Sequence, residues 1–220
     1  MIKACIFDMD GTVANTINSI SYFANNALNK AGLPSIDTDT YKKLVGNGAK
    51  VLVERMLQTV GADNEYFEAV AHEYNTKYDA DFLYLTEPYE GIVDTLAQLK
   101  EMGISITILS NKPHETALKV AAALFPDGTV DICYGGREGI ALKPDPAGVF
   151  EIMKELGVKE EECLYIGDTA TDMKTGKGAN LYTVGVLWGF RDRDELESGG
   201  ADTIISHPSE LIGIVKKFNA

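Results

Sequence analysis

Cationic residues are scarce in this sequence. The chain has 20 Lys and Arg against 33 Asp and Glu, which gives a formal net charge of −13 and a pI near 4.6. With so few cations there is no cationic face to neutralise phosphates, so we expect no nucleic-acid partner and no anionic membrane partner. An anionic small molecule fits this charge only where a metal, a lysine or backbone amides supply local positive charge.

Cysteines and long apolar runs are also few. The three cysteines, Cys5, Cys133 and Cys163, have no CxxC spacing, and each lies in or beside an apolar run. This pattern predicts buried, reduced thiols. No window has the length and apolar character of a signal peptide or a membrane span, so we expect a cytoplasmic protein.

The chain does contain enough apolar residues, 45%, to bury a full core. Short runs rich in β-branched residues predict strands, and helix-patterned stretches alternate with the later ones. The strands are predicted at 4–7, 104–109, 130–134, 163–166, 181–186 and 203–205, and the helices at 93–102, 115–124, 147–156 and 171–178. Such alternation predicts an α/β fold with a parallel sheet covered by helices on both faces.

Residues 16–85 break this alternation. They contain no convincing strand and are predicted to form helices at 18–31, 38–45, 49–60 and 64–78. We interpret residues 16–85 as a helical cap domain inserted into an α/β core domain made of residues 1–15 and 86–220. The alternative is one α/β domain with a long first crossover.

An acidic motif follows the first predicted strand. Asp8 and Asp10 come where the apolar run 4–7 stops, and Gly11 and Thr12 follow them. Because side chains alternate along a strand, the two carboxylates should leave on the same side. Two like charges so placed are costly unless a cation or a shared proton relieves them. The alternative interpretation of this motif is a surface turn. Polar partner residues at the ends of other strands would favour a functional site instead.

Such partners follow three later strands. They are Ser110-Asn111-Lys112, Lys143-Pro144, and Gly167-Asp168-Thr169 with Asp172. In a parallel sheet, ligands bind at the carboxyl ends of the strands, so we expect these groups to meet. Asp8, Asp10 and Asp168 could supply oxygen ligands for Mg²⁺, while Lys143 adds positive charge and Ser110 a hydrogen bond for a phosphate.

In order and type, these four segments resemble the four motifs of the haloacid dehalogenase superfamily of phosphohydrolases. The resemblance spans nearly the whole chain and implies a Rossmann-like three-layer α/β/α core with a C1-type helical cap. It also implies that Asp8 is the nucleophile that forms an aspartyl-phosphate, and that Asp10 is the general acid and base. An acidic residue at position 10 argues against the P-type ATPase and dehalogenase branches.

The resemblance further implies a magnesium site and a phosphate site. The metal ligands would be the Asp8 carboxylate, the Asp10 backbone carbonyl and Asp168. Asp172 would either bind the metal, directly or through water, or orient Lys143. Ser110 and Lys143 would hold the phosphoryl oxygens, assisted by the backbone amides of Met9 and Asn111.

The predicted cap carries the features that bear on the substrate. Gly46-Asn47-Gly48-Ala49 is similar to the cap loop of phosphoglycolate phosphatases, and residues 187–191 also look like that subfamily. We therefore expect Gly46, Asn47 and Gly48 to approach a small phosphate ester, with 2-phosphoglycolate as the leading candidate. Lys50 and Arg55 are either carboxylate partners or a solvated face. We expect a monomer or a homodimer.

Three other functions share parts of this pattern. A phosphosugar mutase of the β-phosphoglucomutase type has all four motifs and the cap, and a pyrophosphatase of the same superfamily is a further hydrolase. A non-catalytic binding protein could retain the fold, but the intact nucleophile, acid, lysine and metal aspartates argue against it.

Overall fold

A six-stranded parallel sheet forms the centre of the computed structural model, which describes residues 1–220. Its strands are β1 (Ala4–Phe7), β4 (Ser105–Pro113), β5 (Ile132–Gly136), β6 (Cys163–Gly167), β7 (Tyr182–Val186) and β8 (Thr203–Ile205). Their order across the sheet is β5-β4-β1-β6-β7-β8. The predicted α/β class with a parallel sheet is confirmed.

Helices cover both faces of this sheet. Those on one face, α5 (Ile92–Glu101), α6 (His114–Leu124) and α10 (Glu210–Asn219), pack with the strands in a cluster of 23 buried residues. Those on the other face include α7 (Ala147–Leu156) and α8 (Ala170–Gly178), and α9 (Arg193–Gly199) packs against α8. The result is the predicted three-layer α/β/α arrangement.

β1 is central because it is apolar on both of its faces. Cys5 and Phe7 contribute to one buried cluster, and Ala4 and Ile6 contribute to the cluster on the opposite face. The strand pairs with β4 on one side and β6 on the other, so Phe7 lies opposite Ile108 and Ile166. The chain leaves β1 at the carboxyl edge of the sheet, where its polar residues begin.

The segment predicted as a cap is helical and has its own apolar core. Its helices are α1 (Ile17–Lys30), α2 (Thr38–Leu44), α3 (Ala49–Thr59) and α4 (Phe67–Ala80). Seventeen buried residues form their shared cluster, and Phe190 enters it from outside the helical segment. Apolar residues of α1 recur at helical spacing, as Ile17, Ile20, Ala24 and Leu28, so one face of α1 packs into this cluster.

Several predicted boundaries were wrong. β4 does not stop at Leu109 but runs through Pro113, because the chain pairs again with β5 at Gly136 after a register shift. A 3-10 turn, Asn64–Tyr66, precedes α4 where a single helix was predicted. A small antiparallel sheet of β2 (Ala14–Asn15) and β3 (Glu87–Pro88) joins the two ends of the helical segment and was not predicted.

The cysteines and the helix lengths bear on two further predictions. Cys5 and Cys163 are buried as predicted, whereas Cys133 is only half-buried because β5 lies at the edge of the sheet. Burial raises the pKa of the Cys133 thiol to about 12. No helix of the structure combines the length and apolar character that a membrane span requires.

Candidate active site

Asp8 and Asp10 line one cavity, yet they have different partners. The carboxylate oxygen Oδ1 of Asp8 accepts a hydrogen bond from the Met9 amide at 2.6 Å and lies 2.7 Å from Lys143 Nζ. Asp10 instead accepts from Thr16 Oγ1 at 2.8 Å, and its Oδ2 lies 3.2 Å from Lys112 Nζ. Each aspartate therefore has its own lysine.

Lys143 joins Asp8 to Asp172. Its Nζ lies 2.7 Å from Asp8 and 2.8 Å from Asp172, and the lysine is only 5% exposed. Burial by itself lowers the pKa of this ammonium, but the carboxylates of Asp172 and Asp8 raise it well above its usual value. Lys143 is therefore a fixed positive charge at the carboxyl edge of the sheet.

The start of α8 orients Asp172. Thr169 and Asp172 form a capping box, in which Asp172 Oδ2 accepts from the Thr169 amide at 3.1 Å and from its hydroxyl at 2.7 Å. The other carboxylate oxygen of Asp172 accepts from Lys143. Both oxygens of Asp172 thus have protein donors.

Asp8, Asp168 and Asp172 form a buried acidic cluster, in which one oxygen from each lies within 4.8 Å of the others. Burial, reinforced by Asp172, raises the pKa of Asp8 to about 7. Burial, reinforced by Asp172 and Asp8, also raises the pKa of Asp168 well above its usual value. Lys143 is the one ammonium that pairs with this cluster, so the excess negative charge suits a divalent cation with oxygen ligands.

The remaining predicted residues surround the same cavity in different ways. Ser110, Gly46 and Gly48 line it, and so does Asn111. The Asn111 side chain donates to the backbone carbonyls of Lys143 and Gly46, both at 3.0 Å, so it connects the lysine loop to the helical segment. The cavity is small, with a volume of about 50 Å³.

Asn47, which was predicted to approach the substrate, lies away from this cavity, and so do Lys50 and Arg55, for which two roles were left open. Asn47 faces a separate outer cleft, where its side-chain oxygen accepts from Arg55 Nη2 at 2.9 Å. Arg55 also donates to the Leu44 carbonyl at 2.8 Å, so its guanidinium holds the loop before α3. Lys50 is exposed and does not line the cavity.

Lys112 was quoted in a sequence motif but assigned no role. It is 7% exposed, contacts Asp10, and donates to the Tyr78 hydroxyl at 2.9 Å while lying over the Tyr78 ring. The sequence did contain one indication that Lys112 faces the site. Ser110 and Lys112 are two residues apart on a strand, so both side chains point to the same face.

Residues 187–191 connect the acidic cluster to the helical segment. The Phe190 amide donates to Asp168 Oδ2 at 2.7 Å, and Trp188 Nε1 donates to the Thr12 carbonyl at 2.9 Å. Arg191 donates to the carbonyls at the end of α2, those of Lys42, Lys43 and Val45. A cation at a helix C-terminus is favourable, so Arg191 helps to hold α2 against the α/β layers.

Substitution of Gly189 by Ala is expected to lower the free energy of unfolding by about 1–3 kcal/mol, the usual cost of overpacking. A Cβ at position 189 would meet the Gly11 carbonyl and lie 2.5 Å from Asp168 Oδ2. Urea denaturation measures the change. Gly213→Ala is the matched control, because nothing lies within 4 Å of its Cβ and alanine favours a helix. Equal stability of G189A and the wild type would contradict this close packing.

Comparisons with known proteins agree with this geometry. A family model described as haloacid dehalogenase-like hydrolase matches residues 5–186. The phosphoglycolate phosphatase of Aquifex aeolicus is 29% identical over 97% of this chain and 97% of its own. The N-acetylmuramic acid 6-phosphate phosphatase of Pseudomonas aeruginosa is 28% identical over 98% of this chain and 96% of its own. A solved structure from Lactobacillus delbrueckii subsp. bulgaricus, 29% identical, superposes with a TM-score of 0.91 over 97% of this chain and 98% of that one.

Proposed function

Because the chain belongs to the haloacid dehalogenase-like hydrolases, we propose that it is a Mg²⁺-dependent phosphatase that hydrolyses a small anionic phosphate monoester through a phosphorylated Asp8. The observation that best supports this is the buried cluster of Asp8, Asp168, Asp172 and Lys143 beside a small cavity. A structural ion pair would not require three buried carboxylates next to one ammonium.

Asp8 is the proposed nucleophile. Its carboxylate lines the cavity, and the Met9 amide and Lys143 both contact Oδ1. These contacts fix the orientation of the carboxylate and leave Oδ2 free to attack phosphorus. The attack forms an aspartyl-phosphate and releases the alkoxide of the substrate. Lys143, which already neutralises part of the charge on Asp8, would lie close to the phosphoryl oxygens.

Asp10 is the proposed general acid and base. It lines the same cavity, and Thr16 and Lys112 fix the orientation of its carboxylate without contacting Asp8. An alkoxide is a poor leaving group, so a proton from Asp10 accelerates its departure. The ionised Asp10 then removes a proton from the water that hydrolyses the aspartyl-phosphate.

The residues that would hold the metal are the Asp8 carboxylate, the Asp10 backbone carbonyl and Asp168. When bound, Mg²⁺ offsets the repulsion between these aspartates and the incoming phosphate. Asp172 acts in this proposal through Lys143, because one of its oxygens pairs with the Lys143 ammonium and the other accepts from Thr169, whereas Asp168 has no ammonium partner. Ser110 and the backbone amide of Asn111 would bind the phosphoryl oxygens, and the Met9 amide would join them by exchanging its hydrogen bond to Asp8 for one to the phosphoryl group.

The helical segment, residues 16–85, is proposed to act as a cap domain on a core of residues 1–15 and 86–220. Its own apolar cluster and its two connections through β2 and β3 support this division. Its residues Ile20, Gly48 and Tyr74 form part of the cavity wall. Closure of the cap over the substrate would exclude bulk water and select for size.

2-Phosphoglycolate is the proposed substrate. The relative from Aquifex aeolicus is named for this ester, and the cavity suits a compact molecule. Large sugar phosphates would require the helical segment to move outward. We therefore rank a compact ester above a phosphosugar, and hydrolysis above phosphoryl return to a sugar.

Phosphate release from a substrate panel tests this proposal. The panel contains 2-phosphoglycolate, pyrophosphate, nucleotides and hexose 1- and 6-phosphates, and the readout is kcat/KM with Mg²⁺. We expect the highest value for 2-phosphoglycolate. Interconversion of hexose phosphates in the presence of a bisphosphate activator, without free phosphate, would support a mutase instead, and the highest value for pyrophosphate would support a pyrophosphatase.

A further inference from the structure

Two ammonium groups line the active-site cavity, those of Lys112 and Lys143. Lys143 already lies between Asp8 and Asp172. Lys112 is therefore the cation that is placed to meet a second negative charge on the substrate. Neither Lys50 nor Arg55 lines this cavity, so the predicted cap supplies no competing cation.

Lys112 has donor capacity left. An ammonium has three N–H donors, and its partners here are the Tyr78 hydroxyl at 2.9 Å and Asp10 Oδ2 at 3.2 Å. The side chain is 5% exposed and borders the cavity, so a ligand there can reach the third donor. A carboxylate would form a charge-assisted hydrogen bond with it, which is stronger than a bond to a neutral acceptor.

The position of Lys112 specifies which end of the substrate it meets. In the proposed mechanism Asp10 contacts the bridging oxygen of the ester, and Lys112 contacts the Asp10 carboxylate directly. The Lys112 ammonium thus lies on the leaving-group side of the site, next to the Asp10 carboxylate. A negative group joined to the bridging oxygen by a short linker would reach it.

The helical segment contributes no positive charge to the cavity wall. Ile20, Leu52 and the rings of Tyr74 and Tyr78 are apolar or aromatic, and Asn75 is neutral. Asp79 also lines the cavity, but it is exposed to water and accepts a hydrogen bond from Thr116 at 2.7 Å. A carboxylate entering here has Lys112 as its charged partner.

We propose that Lys112 is a specificity-determining residue that binds a carboxylate on the leaving group of a short phosphate ester. This inference rests on the proposed phosphatase function and goes beyond it, because phosphoryl transfer itself requires no charge on the leaving group. Lys112 thereby favours phosphorylated hydroxy acids over neutral alkyl phosphates. Its contact with Asp10 places the recognised carboxylate next to the proton donor.

The test compares two esters that differ in one group. In ethyl phosphate a methyl group replaces the carboxylate of 2-phosphoglycolate, and the readout is the ratio of their kcat/KM values. The ratio should fall about 10- to 100-fold in Lys112→Gln, because a hydrogen bond to a charged group is lost. Lys112→Arg should retain most of the preference. Lys119→Gln is the matched control, since Lys119 is an exposed lysine on α6.

Each outcome has a separate meaning. Failure of the wild type to release phosphate from either ester contradicts the proposed function. Phosphate release by the wild type without a carboxylate preference overturns the role of Lys112 and leaves the proposed function standing. So does an unchanged ratio of kcat/KM values in K112Q. If both kcat/KM values fall equally, the ratio is unchanged and Lys112 only positions Asp10.

A second measurement requires no variant. In 3-phosphonopropionate and propylphosphonate a methylene replaces the bridging oxygen of 2-phosphoglycolate and ethyl phosphate, so both are non-hydrolysable and they differ in the same carboxylate. With the wild type, 3-phosphonopropionate should inhibit at least about tenfold more strongly, because the carboxylate contacts Lys112. Equal inhibition constants would overturn the inference even if K112Q failed to fold.

Discussion

Asp8→Asn is expected to lower kcat/KM for phosphate release by at least about 10³-fold, the scale on which enzymes lose activity when a nucleophile is removed. Asparagine has nearly the same shape, but its amide is not a nucleophile toward phosphorus. The fold should survive. Burial beside Asp172 disfavours a charged Asp8, as its raised pKa of about 7 indicates, so a neutral side chain is tolerated there.

Two controls separate loss of chemistry from loss of structure. Thermal unfolding without metal should show D8N to be at least as stable as the wild type. Asp94→Asn, at an exposed position on α5, should leave kcat/KM unchanged. Substantial turnover by D8N would remove Asp8 from the nucleophile role, whereas an unfolded D8N would mean that Lys143 requires the Asp8 charge.

Removal of the metal should lower the rate of phosphate release nearly as much as Asp8→Asn does. Without a cation, three buried carboxylates face the incoming phosphate with only one ammonium among them. EDTA should therefore reduce phosphate release by at least about 100-fold, since electrostatic stabilisation of this kind contributes several kcal/mol. Excess Mg²⁺ should restore the activity. The measurement is the initial rate before chelation, after chelation and after Mg²⁺ addition.

EDTA saturated with Mg²⁺ beforehand is the control for non-specific effects of the chelator and should leave the rate unchanged. Asp168→Asn provides a test within the protein. It should raise the Mg²⁺ concentration needed for half-maximal rate, because one of the oxygen ligands becomes neutral. A rate that resists EDTA would contradict the metal site.

Most of the sheet could be predicted because its strands are short, continuous apolar runs. β1 at Ala4–Phe7 agrees with its predicted bounds, and the polar residues Asp8, Ser110 and Asp168 all reach the carboxyl edge of the sheet. In a parallel sheet this follows from chain direction alone. The convergence of these groups was therefore predictable without knowledge of any distance.

Contacts between distant segments were not predictable. Lys112 meets Tyr78, and the Phe190 amide meets Asp168, because separate elements pack together in space. No local pattern encodes such pairs. The same holds for Arg55, a plausible substrate partner by charge, whose guanidinium is in fact occupied by Leu44 and Asn47.

Detection of a phosphoryl group on Asp8 tests the central claim most directly. Asp10→Asn, incubated with acetyl phosphate and Mg²⁺, should accumulate the phosphorylated Asp8. Acetate is a good leaving group and needs no proton from residue 10, so the phosphoryl group is still transferred. The variant lacks the general base that activates water, so the aspartyl-phosphate is hydrolysed slowly. Peptide mass spectrometry should then show one phosphoryl group on the peptide that contains Asp8, and none in D8N. A phosphoryl group elsewhere, or none while the wild type releases phosphate from acetyl phosphate, would contradict the account.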